Sequence, residues 1–182
     1  MSMESNTLQI KFRQNSQSRG WKPFLHKLTK ILEADADALR CLEAAESLRF
    51  EREVFEKTRQ GFVDGSITRI TELSLEQASP LVAKALAALS QGRMWVVAPS
   101  NSMQFAFSIS YLPSQKQLCE LVDLDGDSVY VVSPDLASGV GLDLYACENR
   151  VGRCYEIDLW PSILSNKLGG LYDSGIAPSV DI

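Results

Sequence analysis

Acidic side chains are concentrated between Leu118 and Trp160, where they could bind a cation or take part in catalysis. This segment carries nine carboxylates against two bases, Arg150 and Arg153, and has a net charge of −7. The carboxylates are Glu120, Asp123, Asp125, Asp127, Asp135, Asp143, Glu148, Glu156 and Asp158. Such a concentration of negative charge attracts cations, either a metal ion or the basic surface of a partner.

The alternation of apolar and polar residues predicts that this segment is a β-meander. Its four predicted strands are LCELVDL at 118–124, SVYVVS at 128–133, VGLDLYAC at 140–147 and RCYEIDLW at 153–160. Asp125-Gly126, between the first two, predicts a tight hairpin turn. The turn between the last two is predicted within ENRVGR.

If that last turn is centred between Arg150 and Val151, one face of the two strands is apolar and the other is acidic. The acidic face sets Asp143 opposite Asp158, and like charges directly opposite each other destabilise a sheet. A cation from Arg153, the basic N-terminus, a metal or a partner protein would offset this repulsion.

The same face sets Tyr145 opposite Glu156, and Gly141 opposite Trp160, so that the glycine would leave the tryptophan uncovered. Aromatic side chains beside carboxylates are typical of protein interfaces. The predicted partner-binding residues are Asp143, Tyr145, Glu156, Asp158 and Trp160. The alternative is a solvated outer face whose charges protect the sheet from aggregation.

Several common kinds of site find no support in the sequence. His26 is the one histidine and lies in an amphipathic segment, which disfavours a histidine-based catalytic triad. Neither a phosphate-binding G-x-x-x-x-G-K-[ST] loop nor a complete dinucleotide fingerprint is present. The run from Asp123 to Asp127 fails as a calcium loop, because Ser128 and Pro134 stand where glycine and glutamate are needed. We expect no cofactor, no metal and no catalytic residue.

The four cysteines, Cys41, Cys119, Cys147 and Cys154, include no C-x-x-C pair, which disfavours a structural zinc site. The predicted pairing sets Cys147 opposite Cys154, so a disulfide is conceivable there. A thiol pair is the favoured interpretation, because the N-terminal sequence lacks a secretory signal and a cytoplasmic location is predicted. No apolar run approaches the length needed to span a bilayer, and we expect no membrane partner.

The 182 residues, 45% hydrophobic and 23% charged, suit one domain with its own core. The overall net charge is −5, yet residues 1–30 carry a net charge of +5. A basic arm for nucleic acid is one interpretation of this asymmetry. We favour the other, in which the basic start folds back onto the acidic body, because the net negative charge repels phosphate.

The periodicity predicts an α+β fold over 1–182, with N-terminal helices packed on a mainly antiparallel sheet of about five to seven strands. Residues 1–20 are predicted as a lead-in with a possible edge strand, TLQIKF. The helical part, 21–92, contains helices over about 23–59 and 75–91, the first beginning near Pro23. The sheet covers 93–160, and 161–182 form an irregular tail.

Three functional hypotheses follow. The first is a non-enzymatic protein-binding module whose acidic sheet face docks a basic partner. Small acidic α+β proteins of this character include bacterial immunity proteins and other inhibitors. The second is a metal-dependent hydrolase or nuclease using Asp143, Glu156 and Asp158. The third is a structural subunit of a larger bacterial assembly.

Overall fold

The computed structural model describes residues 3–89, 94–99, 105–146 and 153–160. The predicted turn ENRVGR at 148–153, Cys147 and the segment 161–182 lie wholly or partly outside these ranges. The helices are α1 Met3–Leu32, α2 Ala44–Asp64, α3 Leu75–Ala88 and α4 Gln115–Asp125, with a short 3-10 helix over Ala36–Ala38. The strands are β1 Arg40–Cys41, β2 Thr68–Leu73, β3 Trp95–Pro99, β4 Phe107–Ile109, β5 Ser128–Val132, β6 Gly139–Ala146 and β7 Arg153–Leu159.

The seven strands form one sheet in the order β1-β4-β3-β5-β6-β7-β2, and every neighbouring pair is antiparallel. This confirms the predicted α+β class, with helices first and an antiparallel sheet after them. Two strands, β1 and β2, come from the part of the chain that was expected to be mainly helical, and they form the two edges of the sheet.

The two faces of the sheet are covered by different helices. One face, with Trp95, Val131 and Ile157, packs on α1, α3 and α4 in the larger core cluster. The second face, with Val96 and Trp160, packs on α2 in a smaller cluster. Alternation along each strand therefore sends successive side chains into two separate cores.

Two segments predicted as strands are helices instead. TLQIKF lies within α1, which runs through Pro23 without interruption, so the helix begins twenty residues before the predicted start. LCELVDL lies within α4, where Leu118, Leu121 and Val122 are buried at helical spacing. Ser114 and Gln117 form a capping box that begins α4.

The Asp125-Gly126 pair ends α4 and is not a hairpin turn. Gly126 has a φ of 80°, in the left-handed region that favours glycine, and its N–H donates to the Val122 carbonyl at 2.8 Å. The chain then enters β5. None of the described helices combines the length and the apolar character needed to cross a bilayer.

The strands β6 and β7 pair two residues out of the predicted register. Asp143 pairs with Glu156 and Gly141 pairs with Asp158, so the predicted Asp143–Asp158 and Tyr145–Glu156 pairings are wrong. A shift of two residues leaves every side chain on its predicted face. The acidic face exists, but its members have different neighbours.

Candidate functional site

A row of paired residues crosses the second face of the sheet from β3 to β2. The row consists of Ala98, Tyr130, Gly141, Asp158 and Arg69, each paired with the next across neighbouring strands. The one cation in this row stands directly beside a buried carboxylate.

Arg69 binds two carboxylates of β7. Its Nε and Nη2 donate to the two carboxylate oxygens of Asp158 at 2.8 and 3.0 Å. Its Nε also lies 2.7 Å from Glu156 Oε1. The guanidinium stacks 4.1 Å from the centre of the Phe62 ring on α2. Burial lowers the pKa of Arg69, but the hydrogen bond and charge of Asp158 outweigh it and the net shift is upward.

Gly141 makes room for Tyr130 in the middle of this row. A Cβ at Gly141 would stand 2.5 Å from the Tyr130 ring, so any larger residue would push that ring away. The Tyr130 hydroxyl donates to Asp158 Oδ2 at 3.3 Å. Burial and the charge of Asp158 raise the pKa of Tyr130, so the tyrosine stays a neutral donor. Asp158, with a side chain only 3% exposed, is therefore held by two partners.

A second row beside the first sets Ser128, Asp143 and Glu156 opposite one another. Burial raises the pKa of Glu156 to about 7, since the charge of Arg69 does not fully offset it. Burial and the nearby charge of Asp127 also raise the pKa of Asp143. Asp143 has no ion pair among the described residues. One guanidinium thus lies among three neighbouring carboxylates and forms ion pairs with two of them.

An open groove of about 490 Å³ separates this face from α2. Helix α2 contributes Glu51, Val54, Phe55, Thr58, Arg59 and Phe62 to its lining. Phe55 is 69% exposed although it lines the groove. The sheet contributes Arg69, Ala98, Pro99, Ser128, Tyr130 and Asp143, and the turn before β5 contributes Asp127. We call this the α2 groove; it combines aromatic surface with half-buried carboxylates.

A second buried arginine lies where α1 meets α2. Arg13 is 5% exposed and forms an ion pair with Glu51, which also accepts from the Ser47 hydroxyl at 2.8 Å. Burial raises the pKa of Glu51, and Arg13 only partly opposes that shift. Here one base meets one acid.

The structure gathers three of the five predicted binding residues, Asp143, Glu156 and Asp158, and sets the other two apart. Tyr145 is partly buried, and its hydroxyl accepts the Glu72 N–H at 2.8 Å. Trp160 is completely buried and meets the Tyr130 ring edge-on at 6.1 Å. The expectation that Gly141 leaves Trp160 uncovered is wrong, because Gly141 pairs with Asp158.

Three residues that shape the site went unpredicted: Arg69, Phe62 and Phe55. Arg69 is separated from Asp158 by eighty-nine positions in the sequence. The available signal was a basic residue in the short segment ITRI at 67–70, in a protein whose acidic strands lack a matching number of cations. No local sequence pattern distinguishes Phe55 and Phe62 of α2 from the other apolar residues of an amphipathic helix.

The arrangement offers little for metal or nucleophilic chemistry. No group of three or more His, Cys, Asp or Glu residues is arranged to hold a metal within the described ranges. Arg69 already occupies the position between Asp158 and Glu156 that a cation would take. His26 is exposed on α1.

None of the described cysteines lines the α2 groove. Cys41 and Cys119 are free thiols, and burial raises the pKa of Cys41 to about 11, which disfavours a reactive thiolate. Cys154 is disulfide-bonded, so the expectation of a thiol at that position is wrong. Cys147 lies outside the described residues.

Comparison with known proteins adds no assignment to this geometry. The chain matches no protein-family model, no curated protein and no solved structure. A function therefore has to be argued from the α2 groove and its charges.

Proposed function

We propose that the protein is a non-enzymatic binding module whose α2 groove receives a basic side chain from a partner protein. One observation carries the proposal: Asp143, half-buried at the groove, has no ion pair among the described residues and lies beside the carboxylates of Glu156 and Asp127. A lysine or arginine from a partner would supply the missing positive charge. Its ion pair with Asp143 would offset the cost of removing both charges from water.

The surroundings of Asp143 support this role. Phe55, largely exposed at the groove, offers the kind of aromatic contact that interface centres favour. Arg69 is held by Asp158 and Glu156, which fixes the floor of the groove before a partner arrives. Preorganised sites of this kind lose less entropy on binding.

The finer form of the proposal is an inhibitor or immunity-type protein that covers a cationic surface, such as the active site of a basic enzyme. Electrostatic attraction would speed its association and make binding sensitive to salt. The predicted cytoplasmic location stays a prediction, and the disulfide of Cys154 would be unusual there.

The test is affinity capture from native lysate by immobilised protein, at about 50 mM and about 300 mM salt, where electrostatic screening differs strongly. The Asp143→Lys variant reverses the key charge, and Asp37→Lys on the exposed 3-10 helix makes the same change away from the groove. We expect the wild type and Asp37→Lys to retain a basic partner at low salt. Asp143→Lys should lose it at least about tenfold.

Asp158 is unsuitable for this test, because a lysine there would place two cations together in a buried position and disturb the fold. Equal capture by Asp143→Lys and wild type would exclude the α2 groove as the binding site. A captured partner with an acidic surface and no salt dependence would contradict the proposed chemistry.

A further inference from the structure

From Thr7 onward, the described solvent-facing side of α1 carries cations and no carboxylate. Between Thr7 and Leu32 the sequence has six bases and no Asp or Glu. Arg13 alone turns inward, to Glu51. The other five bases are exposed: Lys11, Arg19, Lys22, Lys27 and Lys30. The expected folding of the basic start onto the acidic body therefore applies to a single residue, and most of this charge faces solvent.

Three of the exposed bases recur at intervals close to whole turns of the helix. Lys11, Lys22 and Lys30 consequently lie on one side of α1, whereas Phe24 and Leu28 face the core from the other. At 1.5 Å per residue, Lys11 and Lys30 are about 28 Å apart along the helix axis. The result is a long cationic strip.

Two large apolar side chains lie on the same side as the strip. Leu8 is 68% exposed and Phe12 is 70% exposed, one helical turn apart. Exposed apolar side chains of this size, next to lysines, are typical of helices that lie in the interface of an anionic bilayer. There the apolar groups enter the boundary between headgroups and acyl chains, and lysine ammonium groups reach the phosphates.

We propose that this side of α1, from Leu8 to Lys30, adsorbs the protein to the surface of an anionic lipid bilayer. Four of the five exposed bases are lysines, compact point charges suited to the diffuse negative potential of such a surface. Nucleic acid is the weaker fit, because Phe12 is the one exposed aromatic side chain among these bases and stacking needs several.

Adsorption needs no membrane-spanning segment. The sequence-based expectation of no membrane partner considered only the length of apolar runs, and a surface helix does not depend on that length. The strip lies on the solvent-facing side of α1, whereas Asp127 and Asp143 of the α2 groove lie on or beside the sheet. The groove's other acid, Glu51, is paired with Arg13 of α1. Screening within about 8–10 Å at physiological salt limits the repulsion between those acids and the bilayer.

The test is co-sedimentation with phosphatidylcholine vesicles, with and without about 30 mol% phosphatidylglycerol, at about 50 mM salt. We expect the wild type to bind only the anionic vesicles. Lys22→Glu/Lys30→Glu should weaken binding by about 25-fold or more, since each basic residue near such a surface contributes about fivefold. Lys57→Glu/Lys84→Glu makes the same charge change at exposed positions of α2 and α3 and should bind within about twofold of wild type.

Leu8→Ser/Phe12→Ser separates insertion from simple charge attraction. This variant keeps every base, and its binding should fall several-fold at both low and moderate salt. Circular dichroism confirms that each variant keeps its helices. No binding of the wild type to anionic vesicles would overturn the proposal. Equal weakening by both lysine pairs, or binding to a random DNA duplex that vesicles do not compete for, would overturn it as well.

Discussion

Two arginines make ion pairs with partly buried carboxylates on the α2 side of the molecule, and the balance of charge around them differs. Among the residues that the structure describes, Arg13 meets one acid, Glu51. Arg69 meets Asp158 and Glu156, and Asp143 adds a third carboxylate next to them. The first pair is what a helix–helix contact needs for its own stability. The second places three carboxylates around one cation that pairs with two of them, and the proposed role of Asp143 in binding rests on this excess of acid.

Loss of the Arg69 side chain should have the largest effect on stability. Arg69→Met leaves Asp158 and Glu156 without their cation, and breaking a buried pair of this kind costs about 3–5 kcal/mol before partial exposure of the arginine is considered. We expect a fall of about 2–4 kcal/mol in the free energy of unfolding, measured with urea at about pH 8. The fall should be smaller at about pH 5, because Glu156, whose pKa is raised to about 7, is then largely protonated and does not need a cation. A smaller fall in the free energy of unfolding for Arg69→Met than for Arg13→Met would contradict the claim that Arg69 stabilises more buried negative charge.

The matching change at the balanced pair is Arg13→Met. One acid rather than two is then left without a cation, and the Glu51 side chain is 25% exposed and reached by water. The free energy of unfolding should fall by about 1–3 kcal/mol under the same conditions. If Arg13→Met destabilised the protein more than Arg69→Met, the distinction between the two arginines would fail.

Glu156→Gln sharpens the comparison through pH. The pKa of Glu156 is raised from 4.5 to about 7 in the folded protein, so the folded state binds more protons than the unfolded state between these values. This group therefore makes the wild type less stable as pH rises from about 4.5 to about 7, with no further change above that range. The contribution should be about 1–3 kcal/mol.

Urea unfolding across this pH range should show that the slope assigned to Glu156 disappears in Glu156→Gln. Glu56→Gln, at an exposed position of α2, serves as the control and should keep the wild-type slope. A slope of the opposite sign in the wild type, or one that survives in Glu156→Gln, would contradict the raised pKa.

The strands β5, β6 and β7 could be predicted from the sequence because their alternation is strong, and so could the side of the sheet on which the acids lie. Register could not. A shift of two residues preserves both faces, so periodicity does not distinguish Asp143 opposite Asp158 from Asp143 opposite Glu156. The turn between these strands would decide it, and its residues give no unique geometry.

The misassigned helix α4 could have been recognised. Ser114 and Gln117 repeat the capping box formed by Ser74 and Gln77, and Gly126 is the glycine expected after a helix. The apolar content of LCELVDL hid this, because Leu118 and Val122 would also share one face of a strand. The N-terminal half of α1 was hidden for a different reason: its buried face there is polar, with Arg13 inside, and no apolar stripe marks the helix.

Arg69 shows why the site itself was only half predictable. Its partner Asp158 lies 89 positions later in the sequence. The two residues meet only because β2 pairs with β7 in the folded sheet, and no local pattern predicts that pairing. The sequence indicated that the acids needed a cation and offered four sources. It did not identify Arg69 as that cation, and it did not predict which α2 side chains line the groove beside Arg69.

The proposal that Asp143 serves binding rather than the stability of the fold can be tested by measuring the unfolding free energy of Asp143→Asn. The substitution keeps the shape of the side chain and removes the charge that Asp127 and burial oppose. At about pH 8 we expect the free energy of unfolding to rise, because the raised pKa of Asp143 means that the folded state disfavours its charge. Asp37→Asn, at an exposed position, should leave it unchanged. A fall in stability on Asp143→Asn would show that the third carboxylate serves the fold and would contradict the assignment of Asp143 to binding.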